Sequence, residues 1–156
     1  MKNLDMKRDR MRFTKNKASA NLAYLAILFN VLYFVSIYSS DVGNYYYSIT
    51  IGISVVYNLL FLLFTFLSSE GVKSYKLPYA ILITVLGALQ LVRILGFPVD
   101  ASTTVLESGE AVMKLSQFLY TVTMLYLSAA AAIASGIIGI VRSVNLEKYK
   151  KELAAE

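Results

Sequence analysis

The sequence predicts an all-α integral membrane protein: an antiparallel four-transmembrane-helix bundle, both ends in the cytoplasm, with its fourth helix extended into the cytoplasm. Three observations predict it. The chain is 57% hydrophobic with a mean hydropathy of +0.59, above the roughly half-apolar make-up of a soluble domain. Only 16% of its 156 residues are charged, and they fall in blocks that leave long runs free of charge. Lys and Arg then alternate between rich and poor along the connections, which fixes an orientation.

The chain opens with "MKNLDMKRDRMRFTKNK", seven Lys/Arg against Asp5 and Asp9, the main source of the net charge of +5. A basic flank beside a span is an orientation signal, and nucleic acid is not expected as a partner. The same cations are drawn to anionic lipids of the inner leaflet, by about 1 kcal/mol each. The apolar run that follows exceeds the roughly 7–15 residues of a signal-peptide core, and "SIYSSDVG" lacks an A-x-A site, so it reads as an uncleaved first span.

Spans are expected at about 18–38, 46–67, 77–97 and 115–141, each near the ~20 residues that cross the hydrocarbon. Backbone amides find no water there, so these runs must be helical. The organisation is therefore a basic cytoplasmic segment 1–17, a membrane domain 18–141 and a cytoplasmic helical tail 142–156.

Outside the spans, "SSDVGNY" carries no Lys or Arg, "SSEGVKSYK" carries Lys73 and Lys76, and "PVDASTTVLESGEAVMK" carries Lys114 alone. The tail carries Arg142, Lys148, Lys150 and Lys151. This alternation puts both termini and the middle loop in the cytoplasm of a plasma membrane. Asp41, Asp100, Glu107 and Glu110 make the outer side acidic. Tyr38 and Tyr45 to Tyr47 mark the outer interface, Tyr75 and Tyr79 the inner one. In the long outer loop, "STTVLES" reads as a helical turn capped by Ser102 or Thr103.

The helices differ in kind. The second, with "LLFLLFTFL", is bulky on several faces and suits lipid. The fourth, with "LSAAAAIASGIIGIVRS", lines up Ser128, Ala132 and Gly136 on one stripe and Ala131, Ser135 and Gly139 on the next. In a bilayer no hydrophobic force joins helices, so small residues that let backbones approach define a packing interface. Two stripes exceed one seam, which points to another membrane protein, or a second copy, as partner through this helix. Beyond it, Glu147 and Lys151 form an i,i+4 pair on the tail.

An ionisable side chain inside a span is a functional candidate, and the only one is Arg93. At 1.5 Å per residue it lies about 9 Å above the midplane, from where it is expected to snorkel to Asp41, Asp100, Glu107 or Glu110. Gln90 is nearly one turn earlier. Asn30 and Asn58 lie mid-span in the first and second helices and are expected to form a polar seam with Tyr33 or Tyr57.

Absence of Cys and His excludes disulfides, thiolate chemistry, Cys/His metal sites and imidazole catalysis. No span holds paired carboxylates and no Gly-rich phosphate loop occurs, so neither an enzyme nor a cofactor is expected. The first run, "ANLAYLAILFNVLYFVSIY", lacks the carboxylate that proton-coupled export would need. What remains is contact between helices: an accessory or scaffolding subunit of a larger transporter-type membrane complex. The alternative is a homo-oligomeric small-solute transporter or channel lined by Arg93, Asn30, Asn58 and Gln90.

Overall fold

The computed structural model describes residues 2–38, 42, 49–106 and 108–155. Its helices are α1 (Lys2–Phe13), α2 (Lys17–Tyr38), α3 (Ile49–Lys73), α4 (Leu77–Ile94), α5 (Phe97–Thr103) and α6 (Leu115–Ala155). Four helical stretches are long and apolar enough to cross a membrane: Lys17–Tyr38, Gly52–Lys73, Leu77–Thr103 and Leu115–Ala155. Their outward faces carry Val35, Ile53, Leu59, Phe66 and Val92, all exposed. Such a surface suits hydrocarbon rather than water.

Local chemistry sets the boundaries. Asn16 caps α2, its side-chain Oδ1 accepting from Ser19 N at 3.4 Å and its carbonyl from Ala20 N at 3.3 Å. At the end of α3, Tyr75 adopts φ 57° while Lys76 N reaches Gly71 O at 3.0 Å and Tyr75 N reaches Val72 O at 3.1 Å. This bonding satisfies the last carbonyls and offsets the ~1–2 kcal/mol of a side chain in the left-handed region. Pro78 then stands in the first turn of α4, where no N–H is needed.

Two boundaries differ from the sequence-based expectation. The second helix runs on to Lys73 instead of 67, because Ser68, Ser69, Gly71 and Val72 remain buried. The third stops at Ile94, where Gly96 and Pro98 redirect the chain into α5. Ser102 and Thr103 consequently sit at the end of that short helix, their hydroxyls bonding back to Val99 O at 2.8 and 3.1 Å, and neither caps a helix start. The fourth helix passes 141 unbroken to Ala155, about 60 Å in all, in line with the helical tail expected beyond that span.

α6 packs along both α2 and α4, and α3 packs along the same two helices from the other side. Contacts between α2 and α6 run in opposite order: Ser19 with Ser135, Ala26 with Ser128, Ser36 with Gln117. The two helices are therefore antiparallel. One core layer combines Ala23, Ala26, Val72, Ala80, Ile83, Ala131 and Ala132. The other combines Tyr33, Ile37, Ile94, Leu125 and Met113. Met113 and Val112 reach that layer from a tight turn in which Val105 bridges Ala111 and Gly109 takes φ +82°. At the opposite end α1 lies against α6, with Arg8 3.5 Å from Glu152.

Candidate functional site

Asn30 on α2, Asn58 on α3 and Gln90 on α4 each stand in an otherwise apolar stretch, and each is at most 1% exposed. A buried amide without partners costs a few kcal/mol, so facing helices must satisfy one another. They do so here. Asn30 Nδ2 donates to Asn58 Oδ1 at 3.3 Å, and Gln90 Nε2 donates to Asn30 Oδ1 at 2.8 Å. Asn58 Nδ2 turns back to Ser54 O at 2.8 Å.

Arg93, one turn beyond Gln90, completes the cluster. Its Nη1 donates to Asn58 Oδ1 at 2.9 Å and to Asn30 Oδ1 at 3.4 Å, while Nη2 donates to Ser54 Oγ at 3.2 Å. The guanidinium carbon lies 4.4 Å from the Tyr33 ring centroid and 4.8 Å from that of Tyr57. All four polar residues singled out within the spans thus meet at one point where α2, α3 and α4 converge.

Among the described residues, the outer clasp expected for Arg93 is not formed with Asp100 or Glu110. Among the described residues the ion pairs are Arg8–Glu152, Arg12–Asp9, Lys73–Glu70 and Lys151–Glu147, and none involves Arg93. Asp100 and Glu110 are exposed; Asp41 and Glu107, like Tyr45 to Tyr47, lie outside the described residues. The physical reason is the face on which Arg93 sits. Three residues after the fully buried Gln90, it points toward Asn30 and Asn58 rather than away from them. An arginine deep in a bilayer costs about 3 kcal/mol on insertion scales. Two desolvated ring faces at up to about 2 kcal/mol each, with bonds to amide oxygens, are enough to offset that without a carboxylate.

The cluster is not closed on every side. Tyr33 Oη, Tyr57 Oη and Gln90 Oε1 are buried without a hydrogen-bond partner among the described residues. On the outward side, a cavity of about 310 Å³ lies between α3 and α4 with Ser54, Tyr57 and Arg93 on its wall. Asn30, Asn58 and Gln90 lie behind it and line none of it.

Ser128, Ala131, Ala132, Ser135, Gly136 and Gly139 are all buried, and they pack against this same chain. Ser135 Oγ donates to Ser19 O at 2.7 Å while Ser19 Oγ donates to Ser135 O; Ser128 Oγ donates to Ala26 O at 2.9 Å. Gly136 faces α4: a Cβ there would strike the Thr84 hydroxyl and stand 2.8 Å from Ala80 O. A Cβ at Gly139 would meet Ala80 Cβ at 2.9 Å and Ser19 Oγ at 3.3 Å. Room for a second chain on these stripes was the expectation; the structure packs both stripes against α2 and α4 of the same chain. Backbone approach this close leaves none of these six residues exposed.

One further hub carried no signal in the sequence. Asn16, fully buried, takes Arg142 Nη1 on its Oδ1 at 2.7 Å and donates its backbone N–H to Lys73 O at 2.9 Å. It ties the start of α2, the end of α3 and Arg142 of α6 together. In the sequence it was one polar residue in a basic tail, and only the cap position before an apolar run could have marked it.

Fold and site together define a class: a helical chain suited to multiple membrane crossings, with a buried arginine held by neutral groups. Searches against family models, curated proteins and solved structures find no match.

Proposed function

We propose that the protein is a non-catalytic, multi-pass membrane protein that serves as an accessory or scaffolding subunit of a larger, transporter-type complex. In this reading the bundle sits in a plasma membrane with both termini cytoplasmic, as the distribution of Lys and Arg favours. The observation that carries it is α6, whose 41 residues far exceed the ~20 that a span requires. Its far end, with α1 alongside, forms a two-helix stalk outside the bilayer. Two helices cannot bury a core of their own, so their use is contact with something else. A cleft of about 280 Å³ at the base of the stalk, between Tyr75, Pro78, Leu146 and Lys150, offers a seat for a partner segment. Contact would then run through the stalk, since the small-residue stripes of α6 are taken by α2 and α4.

The cross-helix bonding of the amides also favours a subunit. Asn30, Asn58 and Gln90 bond across helices and line none of the cavity beside Arg93, so they give a solute no polar path there. The second reading, a homo-oligomeric small-solute transporter or channel, is favoured by Arg93 alone, which does line a cavity on the outer face. Purification at native expression in mild detergent separates the two. Larger membrane proteins co-migrating in fixed stoichiometry support the subunit. A homogeneous self-oligomer that passes solute across liposomes overturns it in favour of the second reading.

A further inference from the structure

We propose that the cleft between α3 and α4 binds a phospholipid with an anionic headgroup, its phosphate on Arg93 and an acyl chain along the outer face of α3. Charge carries the first half of this inference. Every partner that Arg93 has among the described residues is neutral, namely two amide oxygens, one hydroxyl and two ring faces. With no carboxylate beside it among the described residues, Arg93 lines a cavity whose other side is apolar, through Ile53, Leu89, Val92 and Phe97. In such surroundings an anion is held far more strongly than in water, and a guanidinium matches a phosphate with parallel N–H donors. Tyr57 lines the same wall, its hydroxyl buried and without a hydrogen-bond partner among the described residues.

Shape carries the second half. A neighbouring groove of about 590 Å³ shares Ile53 and Tyr57 with the cavity and continues past Val56 to Leu60. It starts at Gly52, where an added Cβ would meet nothing within 4 Å, so the missing side chain leaves a notch. Arg93 is the next-to-last residue of α4 and stands level with Ser54, near the start of α3. From there to Leu60 the groove leads toward the middle of α3, the direction an acyl chain takes from its headgroup. Ile53, Val56, Leu60 and Val92 are exposed, so in a bilayer this face is the one that lipid reaches. A soluble anion would match Arg93 but leave the groove empty. The site stands whether or not a protein partner exists.

The test is native mass spectrometry of the full-length protein in detergent with added phosphatidylglycerol or phosphatidylcholine. One phosphatidylglycerol is expected to be retained at least about tenfold more tightly than phosphatidylcholine, the difference being the charged contact. Arg93→Gln should bring the two lipids to equal retention. Val92→Trp, on the exposed wall and outside the polar cluster, should block retention while the thermal unfolding curve in detergent stays that of the parent. Equal retention of both lipids by the parent overturns the proposal. So does unchanged retention of phosphatidylglycerol in either variant, or its displacement by inorganic phosphate at equal concentration.

Discussion

Where Ser19 meets Ser135, α2 and α6 approach until each serine hydroxyl reaches the other helix's carbonyl, and α4 comes close enough to fill the space beside Gly136 with Thr84. Around Arg93 the space between α2, α3 and α4 is filled by long side chains: two tyrosine rings, three amides and a guanidinium. Both regions solve the same problem, since lipid tails are as apolar as leucine and provide no drive for helices to associate. One removes side chains so that backbones touch. The other adds polar groups whose alternative is an unpaired donor in hydrocarbon. The first should fail when volume is added, the second when a polar partner is taken away.

The largest effect should therefore come from volume at the small-residue contact. Gly136→Leu places atoms where Thr84 and the Ala80 carbonyl already are, and should destabilise the folded chain by more than about 3 kcal/mol. Thermal unfolding in detergent measures it, and a normal melting curve would mean that α4 and α6 do not touch there. In the polar region, Asn58→Leu should cost about 2–3 kcal/mol, because Arg93 and Asn30 both lose the oxygen they donate to. Arg93→Leu should cost less, about 1 kcal/mol, since removing the cation also removes its desolvation penalty. The order of these two is the sharper readout: an arginine variant worse than the asparagine variant would indicate a partner elsewhere. Smallest is Ser135→Ala, at about 0.6 kcal/mol, because Ser19 Oγ keeps the carbonyl of residue 135 as acceptor. A loss several times larger would show that the paired hydroxyls, and not close backbone contact, hold this region.

Much of the helical layout was legible because the physics is local and repetitive: apolar runs near span length, separated by connections where the charges gather. Asn30, Asn58, Gln90 and Arg93 were legible as individuals, since each is a polar residue in an apolar run. That all four meet was not, because it depends on the rotation of three helices about their axes. Arg93 illustrates the loss. Its depth permitted snorkelling to the acidic outer loop, and only the face it shares with Gln90 turns it inward. The stripes of α6 carried an analogous ambiguity. Small residues announce close approach, yet spacing does not say whether the approaching helix belongs to the same chain. Asn16 was hidden for a third reason: Lys73 and Arg142 are 57 and 126 residues away from it and meet it only once the bundle has formed.

A double-mutant cycle on thermal stability in detergent tests the interior position of Arg93 most directly, pairing Arg93→Leu once with Asn58→Leu and once with Glu110→Gln. Coupling of at least about 1 kcal/mol is expected between Arg93 and Asn58, with none between Arg93 and Glu110. Coupling to Glu110 with independence from Asn58 would contradict a guanidinium held inside the bundle.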